Sequence, residues 1–342
     1  MKKVLLVTDT WSPQVNGVVN TWKNLLNISK KNATHIYVIH PYLFFNFSWP
    51  FYKEIRLPLV RYKTIIKLVE QYNPNYIHIA TEGILGWHVR NYCVKKNYSF
   101  STSYHTKFPE FLSSLYWVPK KLTYNIIRRF HNAAGATLVN TPTMKKELSS
   151  LSFTNLVEWT RGIDQEIFNP SFDKEIRDYM NPKNKEKIIL YVGRISKEKN
   201  LLNLCKISKE LKNYQFVLVG DGPLKKRLVK EFPEVIFPGY KFGNELSKYY
   251  SSADCSVFPS VNDTFGNTIL ESISCGTPVA GYPVNGPIDI IKNGISGYTD
   301  NDLSVAIIKS LNCDKNGVAN SINKFTWDEC FKIFDRSIIR LP

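Results

Sequence analysis

The sequence has 342 residues, of which 43% are hydrophobic, and a formal net charge of +16. This is enough chain and apolar material for two domains of ordinary size. No run approaches the ~18 consecutive apolar residues of a membrane-spanning helix, and the apolar start stops at Asp9, which favours a first strand over a signal peptide. Six scattered cysteines without a C-x-x-C pair argue against a disulfide framework or a zinc site and favour a reducing cytoplasm.

In the first half, strand-like and helix-like segments alternate. Short apolar runs predict strands at Lys3–Thr8, His35–Ile39, Tyr76–Ala80, Phe100–Tyr104 and Thr137–Asn140. Helical periods lie between several of them, at Tyr62–Tyr72 and Ile84–Lys96. Strands that alternate with helices predict a parallel sheet in an α/β domain.

The pattern lapses over 162–187, which is rich in Asn, Pro and charged residues and is predicted to be a linker. A second α/β series follows, with strands predicted at Ile188–Val192, Gln215–Val219, Val235–Phe237, Cys255–Phe258 and Pro278–Gly281. Helices are predicted at Leu201–Leu211, Pro223–Phe232, Asn244–Ser251, Thr268–Ser274, Leu303–Leu311 and Thr326–Ile339. We therefore predict two Rossmann-like, doubly wound domains that face a cleft, where ligands of such sheets bind.

The charge is concentrated in the first half. Residues 1–160 hold 20 Lys and Arg against 7 Asp and Glu, net +13, whereas residues 161–342 hold 25 against 22, net +3. A basic half of this kind contacts nucleic acid, an anionic membrane or an anionic substrate, unless it is only a solvated lysine-rich surface.

The first chemical motif follows the strand at Ile188–Val192 and reads Gly-Arg-Ile-Ser-Lys-Glu-Lys-Asn over 193–200. Arg194 and Lys199 stand between the end of a strand and the start of a helix. Together, a guanidinium fork and a compact ammonium can neutralise a diphosphate leaving group without a metal. The alternative is a pair of solvated surface cations.

The second motif, Asp-Thr-Phe-Gly-Asn-Thr-Ile-Leu-Glu over 263–271, follows the strand at Cys255–Phe258. A helix that starts near Gly266 and Asn267 offers its N–H donors to a sugar or a phosphate. Asp263 and Glu271 are acceptors suited to sugar and ribose hydroxyls. The alternatives are an N-capping aspartate and an ordinary helix glutamate.

Three further residues lie in or next to predicted strands. Gly17 follows the first strand and allows a phosphate to approach the next helix, although most such glycines only make a turn. His105 ends the strand at Phe100–Tyr104, where imidazole could bind a sugar hydroxyl, whereas lone histidines are more often structural. His78 lies inside an apolar strand and is predicted to be part of the core.

Taken together, these segments resemble the GT-B glycosyltransferases of family 4, which retain the anomeric configuration. The order of the motifs carries the likeness: Asn-Gly-Val-Val after the first strand, Ser-Tyr-His-Thr-Lys-Phe-Pro-Glu at 103–110, Arg-Gly-Ile-Asp at 161–164, Val-Gly-Asp-Gly-Pro at 219–223, and the two motifs above. Each is weak alone, but six in register across almost the whole chain are specific. The start, Thr-Asp-Thr-Trp-Ser-Pro-Gln-Val-Asn-Gly-Val, is similar to the branch of mannosyltransferases and lipid-sugar synthases.

The resemblance implies an acceptor-side domain at 1–163, a nucleotide-sugar domain at 164–322, and a last helix at 323–342 that crosses back to the first domain. It also implies roles for matching residues. The donor diphosphate would contact Gly17, Arg194 and Lys199; the ribose would contact Glu271; and the transferred sugar would face Asp263, the backbone of Phe265, Gly266 and Asn267, and His105.

The chemistry implied by the resemblance is hexosyl transfer from a nucleotide-diphospho-sugar substrate, with no metal and no cofactor. The departing phosphate takes the acceptor proton, so no separate general base is expected. Two positions depart from the family pattern. Asp263 replaces the first glutamate of the usual E-x7-E pair, which leaves the sugar open, and Asn16 replaces a second glycine beside Gly17.

The sequence leaves two rival functions open. One is a sugar-nucleotide epimerase of the same fold, and the other is a basic nucleic-acid-binding protein, although no known RNA or DNA module is present. We expect no nucleic-acid partner. The donor base, the sugar and the acceptor cannot be read from the sequence.

The expected acceptor is a membrane lipid or lipid-linked glycan, and the expected location is the cytoplasmic face of an anionic membrane. An aromatic segment at 44–52 is predicted to be a loop suited to a membrane interface. A basic amphipathic helix over 117–130 carries Lys120, Lys121, Arg128 and Arg129 beside an apolar stripe of Val118, Leu122, Ile126 and Phe130. The alternative is that this stripe belongs to the core.

Overall fold

The computed structural model describes residues 2–14, 16–49, 52–116 and 118–342. Its contacts divide the chain into two compact units, Met1–Gly162 with Trp327–Pro342, and Ile163–Thr326. The first unit therefore includes the C-terminal segment.

In the first unit, a parallel sheet with the order β2-β1-β5-β6-β7-β8 lies beside a separate antiparallel hairpin of β3 and β4. The strands are β1 (Lys2–Val7), β2 (Thr34–Ile39), β3 (Asn46–Trp49), β4 (Tyr52–Pro58), β5 (Tyr76–Ile79), β6 (Ser101–Tyr104), β7 (Ala136–Val139) and β8 (Leu156–Glu158). The helices are α1 (Gly17–Lys31), α2 (Tyr62–Tyr72), α3 (Ile84–Lys96), α4 (Phe108–Tyr116), α5 (Lys120–His131) and α6 (Pro142–Ser150).

The second unit repeats this plan with a parallel sheet in the order β11-β10-β9-β12-β13-β14. Its strands are β9 (Lys187–Val192), β10 (Tyr214–Val219), β11 (Ile236–Gly239), β12 (Cys255–Phe258), β13 (Val279–Gly281) and β14 (Gly297–Thr299). Its helices are α7 (Lys174–Met180), α8 (Leu201–Glu210), α9 (Lys225–Glu231), α10 (Gly243–Ser252), α11 (Asn267–Ser274), α12 (Pro287–Ile290), α13 (Leu303–Ser310) and α14 (Lys315–Val318).

The central strand β1 carries a continuous apolar run from Val4 to Val7, because both faces of its sheet are covered. Val4, Leu5, Leu6 and Val7 of β1 are all buried, although they point alternately to opposite faces. Parallel sheets that are covered on both faces require such continuous runs. The predicted α/β fold with two Rossmann-like sheets is therefore confirmed.

The last helix, α15 (Trp327–Ser337), packs against α1 within the first unit. Its apolar face places Phe331 and Phe334 in the same buried cluster as Trp22 of α1. The indole Nε1 of Trp159 donates a hydrogen bond to the carbonyl oxygen of Cys330 at 2.9 Å. A helix with one apolar face needs this kind of partner.

Two predictions about local structure were wrong. The region 162–187 is not only a linker, because α7 forms there with the Asp173 side chain as its N-cap and Met180 buried. The aromatic segment at 44–52 is not only a loop, because residues 46–49 form β3. Pro50 and Phe51 of that segment, and Trp117 of the predicted amphipathic helix, lie outside the described residues.

Candidate active site

Each sheet has one place where the chain reverses its direction of travel across the sheet. In the second unit, β9 lies between β10 and β12, so β10 and β11 extend to one side while β12, β13 and β14 extend to the other. Loops leave the carboxyl ends of β9 and β12 in opposite directions and open a crevice, where ligands of such sheets bind. Both chemical motifs found in the sequence follow these two strands.

Lys199 and Asp263 meet at this crevice. Lys199 ends a short 3-10 turn after β9, and its Nζ lies 2.8 Å from both carboxylate oxygens of Asp263, which follows β12. Both side chains are about one-quarter exposed. Asn200 continues the junction by donating a hydrogen bond to the carbonyl oxygen of Pro259 at 3.3 Å. The structure thus joins the residue predicted to bind phosphate to the residue predicted to face the sugar.

Arg194 follows β9 by two residues and is only partly exposed. The hydroxyl of the buried Tyr191 donates a hydrogen bond to the Arg194 carbonyl oxygen at 2.9 Å and so fixes the backbone of the turn. Burial raises the pKa of Tyr191 well above its usual range, so the phenol stays protonated and remains a donor. The backbone that carries the Arg194 side chain is thus held on the same loop as Lys199.

The segment Phe265, Gly266 and Asn267 forms the entry to α11. Gly266 has a φ of +104°, which disfavours residues with a side chain, and Asn267 is the first residue of the helix. The amino end of α11 therefore follows directly on the loop that carries Asp263. The aligned peptide dipoles of a helix make this end favourable for negative charge.

A second turn, unrecognised in the sequence, supports this entry. Gly286 has a φ of +92°, and a Cβ on it would lie 2.0 Å from the carbonyl oxygen of Phe265. The turn after β13 therefore presses directly on the backbone of the turn after β12. The triplet Asn285-Gly286-Pro287 after a predicted strand was the available signal, since glycine before a helix-starting proline marks a tight turn.

Glu271 lies on α11, and the hydroxyl of Tyr250 on α10 donates a hydrogen bond to its Oε2 at 2.9 Å. Burial raises the pKa of Glu271 to about 7, although the bond from Tyr250 acts in the opposite direction. Tyr250 is itself buried, and it is the second residue that sequence reasoning missed. Nothing in its helical neighbourhood distinguishes it from a core tyrosine.

In the first unit, His105 follows β6 and is buried with Arg161. The Nη2 of Arg161 lies 2.9 Å from the His105 Nδ1, and it also donates to the side-chain oxygen of Asn140. Burial, with the nearby Arg161 charge, holds the pKa of His105 well below its usual range. Arg161 belongs to a motif that carried the family likeness, but the sequence assigned it no role.

Gly17 is the exposed first residue of α1, and Asn16 caps this helix. The Asn16 side-chain oxygen accepts the N–H groups of Val18 at 3.1 Å and Val19 at 3.0 Å. Two donors of the helix start are therefore used by the protein itself. Contact between Gly17 and a diphosphate stays a prediction.

His78 is a core residue, as predicted. It is fully buried on β5, and its ring nitrogens lie 2.8 Å from the Ser101 hydroxyl and 2.7 Å from the Ser103 hydroxyl. Burial lowers its pKa to about 3, so the ring is neutral.

The comparisons with known proteins agree with this arrangement of sheets and motifs. Residues 15–167 match the family model described as Glycosyltransferase Family 4, and residues 172–315 match the model described as Glycosyl transferases group 1. The chain belongs to the group 1, family 4 glycosyltransferases. The predicted family and the predicted general activity are thereby confirmed.

Curated relatives of this glycosyltransferase are named for enzymes of sugar transfer, and one of them for a glucosyl diacylglycerol product. It is 30% identical to the sulfoquinovosyl transferase of Arabidopsis thaliana over 307 residues. This alignment spans 83% of the present chain and only 60% of the plant protein. It is 29% identical to a GDP-mannose-dependent alpha-mannosyltransferase of Corynebacterium glutamicum, over 86% of this chain and 76% of that protein. It is also 26% identical to the alpha-monoglucosyldiacylglycerol synthase of Streptococcus pneumoniae, over 90% and 78%.

Solved structures show the same fold at low identity. Sucrose-phosphate synthase from Thermosynechococcus elongatus aligns over 98% of each chain, with a TM-score of 0.77 and 18% identity. Anabaena HepE, solved with UDP and glucose, aligns over 98% of this chain and 99% of its own, with a TM-score of 0.73 and 14% identity. These neighbours support the GT-B class for the glycosyltransferase.

The described residues lack two further features. None of the helices in this part of the chain is both long and apolar enough to span a membrane. The same residues contain no group of three or more His, Cys, Asp or Glu placed to hold a metal ion.

Proposed function

We propose that this glycosyltransferase moves a hexose from a nucleotide-diphospho-sugar to a hydroxyl group of a membrane lipid or lipid-linked glycan, with retention of the anomeric configuration. The observation that carries the proposal is the meeting of Lys199 and Asp263 at the crevice between β9 and β12. The named activities of the relatives support the proposal: a mannosyltransferase and a sulfoquinovosyl transferase support the sugar, and the alpha-monoglucosyldiacylglycerol synthase supports the lipid.

The proposed reaction exchanges one bond at the anomeric carbon. The acceptor oxygen bonds to that carbon on the face from which the diphosphate departs, and the acceptor proton passes to the leaving phosphate oxygen. The products are the glycoside and the nucleoside diphosphate. Arg194, Lys199 and the amino end of α11 stabilise the charge that develops on the departing phosphate. We propose that these cationic groups act without a bound metal and that the donor is a substrate, with no further cofactor.

The contact between Lys199 and Asp263 limits how the donor is held. A lysine ammonium has three donors, and Asp263 occupies part of that capacity. Lys199 can therefore hold the aspartate and still donate to a phosphate oxygen, while the aspartate accepts from a sugar hydroxyl. In this proposal, Glu271 accepts from the ribose hydroxyls.

A donor panel tests the proposal. GDP-mannose, UDP-glucose, UDP-galactose and UDP-sulfoquinovose are each incubated with the protein and with vesicles that contain diacylglycerol, and nucleoside diphosphate release is measured. Release that needs the acceptor, together with an α-linked product by NMR, is expected. Conversion of the donor to an isomeric sugar nucleotide without acceptor would instead establish an epimerase.

Docking on an anionic membrane is the proposed route to a lipid acceptor, and the β3–β4 hairpin supports it. The Leu59 N–H bonds to the Phe45 carbonyl and Phe47 lies opposite Leu57, so Phe45, Phe47, Leu57 and Leu59 share one face of the hairpin. Phe45 is 75% exposed and Leu59 is 68% exposed. Aromatic and aliphatic side chains on such a face favour a membrane interface.

Helix α5 supplies a second apolar surface, bordered by cations. The predicted stripe of Val118, Leu122, Ile126 and Phe130 does not act as one unit, because Phe130 is fully buried whereas Leu122 and Ile126 are about half exposed. The correction strengthens the membrane interpretation, since Lys120, Lys121 and Arg129 are exposed on the same helix. Arg128 is the poorest of the four predicted contacts, because it binds the Leu151 carbonyl oxygen and the Asn125 side chain.

Sedimentation with anionic vesicles measures this docking. Each basic residue near such a surface contributes on the order of 1 kcal/mol. Replacing Lys120, Lys121 and Arg129 by Gln should therefore lower the vesicle partition coefficient by roughly 100-fold. The control variant carries the same charge change in the second unit, at the exposed Lys212, Lys226 and Lys230. If both triple variants sediment like the wild type at low salt, the membrane is not docked through α5.

A further inference from the structure

We propose that Arg161 is a positioning residue that fixes His105 as a neutral imidazole carrying its proton on Nε2. In this state His105 is a hydrogen-bond donor to a substrate oxygen and neither an acid nor a base. The inference rests on the proposed function, because it assigns His105 a task in sugar transfer. Its evidence comes from the first unit alone.

The hydrogen bonds around Arg161 decide the tautomer. The Nη2 of Arg161 lies 2.9 Å from the Nδ1 of His105 and also donates to the side-chain oxygen of Asn140. The Nη1 of Arg161 donates to the carbonyl oxygen of Thr160 at 3.1 Å. A guanidinium has N–H donors and no acceptor. The Nδ1 of His105 must therefore accept, and the single proton of the neutral ring lies on Nε2.

The surroundings prevent either side chain from turning away. Arg161 is 3% exposed and His105 is 8% exposed. The guanidinium lies over the Trp159 ring, 4.2 Å from its centroid, and the His105 ring lies 5.8 Å from the same indole. Trp22 meets the imidazole edge-on at 6.3 Å. Breaking the bond between Arg161 and His105 would leave a buried guanidinium without one of its acceptors, which is costly.

Three charged or titratable groups in the described part of the first unit favour the neutral ring of His105. Arg161 carries the nearest charge, and a second cation beside it is unfavourable. His78 and His131 act in the same direction from further away. Burial raises the pKa of the Cys330 thiol, which lies near Arg161, to about 12, so that thiol adds no negative charge to offset the arginine.

The chemical consequence is that neither ring nitrogen of His105 can accept a proton from the acceptor hydroxyl. The Nδ1 lone pair is engaged by Arg161, and Nε2 already holds a proton. His105 therefore cannot remove the acceptor proton, which leaves with the departing phosphate. What His105 can do is donate from Nε2 to an oxygen of the substrate, in a direction fixed by Arg161.

The experiment compares Arg161→Met with a matched control, Arg90→Met. Arg90 is the other buried arginine of the first unit that lies over a tryptophan, 5.2 Å from the Trp87 ring, and its guanidinium binds the Asn91 side chain and the Arg129 carbonyl oxygen. Histidine ring ¹⁵N resonances are recorded through pH about 5.5 to 8.5, with His105 assigned through His105→Gln. Turnover at saturating donor is measured over the same range.

The wild type should show a protonated Nε2 and an unprotonated Nδ1 at every pH tested. In Arg161→Met, both tautomers should appear, and kcat at neutral pH should fall about tenfold or more. As the pH falls far enough for the His105 ring to take up a second proton, kcat should partly recover, because the imidazolium regains the Nε2–H donor. Arg90→Met should show neither the tautomer mixture nor the recovery in acid.

Three results would overturn the inference: a protonated Nδ1 in the wild type, an unchanged tautomer in Arg161→Met, or the same acid recovery in Arg90→Met. The wild-type titration alone decides the first of these, even where Arg161→Met does not fold. Absence of sugar transfer by the wild type with every donor would count against the proposed function instead, and the ring spectra would still report on Arg161.

Discussion

Lowering the pH should weaken binding of the donor through Glu271. The pKa of this carboxyl is raised by burial to about 7, and the Tyr250 hydroxyl holds its Oε2. A carboxylate accepts from both ribose hydroxyls, whereas a protonated acid turns one of its oxygens into a donor. The donor KM should therefore be flat above the pKa and rise about tenfold per pH unit below it.

The size of the effect follows from the loss of one charged acceptor. A hydrogen bond to a charged group contributes about 1.5–3 kcal/mol, so Glu271→Gln should raise the donor KM roughly 10- to 100-fold with little change in kcat. It should also remove the rise in acid. Tyr250→Phe keeps the carboxylate but loses the hydroxyl that favours its charged form, so the rise should begin at a higher pH.

The Glu271 carboxyl should affect stability in the opposite direction to donor binding: raising the pH should destabilise the folded protein. Because the pKa is higher in the folded protein than the usual 4.5, the folded state binds the proton more tightly. The free energy of unfolding should therefore fall as the pH rises from 4.5 through about 7. The loss is about 3 kcal/mol in total. Glu271→Gln has no proton to lose and should lack this decline.

Two assays check both statements. Initial rates at saturating acceptor give the donor KM across the pH range, and urea unfolding gives the free energy of unfolding for the same variants. If Glu271→Gln keeps the rise of KM in acid, another group titrates and the reasoning fails. If Glu271→Gln binds donor as tightly as the wild type above the pKa, the ribose role is wrong.

Other variants test the rest of the site. Arg194→Ala and Lys199→Ala should each lower kcat by about 10²–10³ while the thermal unfolding temperature stays near that of the wild type; near-normal turnover in both would remove their role at the leaving group. Gly286→Ala, whose Cβ would lie 2.0 Å from the Phe265 carbonyl oxygen, should destabilise the protein by about 3 kcal/mol or more. Gly317→Ala is the control, because nothing lies within 4 Å of a Cβ added at this glycine. Equal unfolding free energies for the two variants would show that the turn at Gly286 can shift to accommodate a methyl group.

Periodic patterns made much of the fold predictable. Helices α2 and α3 and strand β12 have the predicted bounds. In α2 and β12 the reason is that an amphipathic helix or a buried strand repeats its signal over several residues. The short edge strands β8 and β14 have three residues each and carry no such repetition. The α7 signal was present in the Asp173 cap and the buried Met180, but the surrounding Asn and Pro residues masked it.

The site was predictable in its positions and not in its partners. Arg194, Lys199, Asp263 and Glu271 follow strands that the pattern located, and the carboxyl ends of parallel strands lie at the same edge of a sheet. The contacts of Tyr250 with Glu271 and of Arg161 with His105 depend on side chains brought together only by the folded core. Sequence spacing cannot specify such pairs, because 21 and 56 positions separate their members.

The ion pair of Lys199 and Asp263 affects how the shorter side chain of Asp263 works in place of the first glutamate of the family's E-x7-E pair. A bidentate contact at 2.8 Å fixes the aspartate against the lysine, so its reach is set by the position of Lys199 as well as by its own length. Asp263→Glu would lengthen the arm and displace Lys199 at once, so the phosphate and sugar contacts are expected to change together.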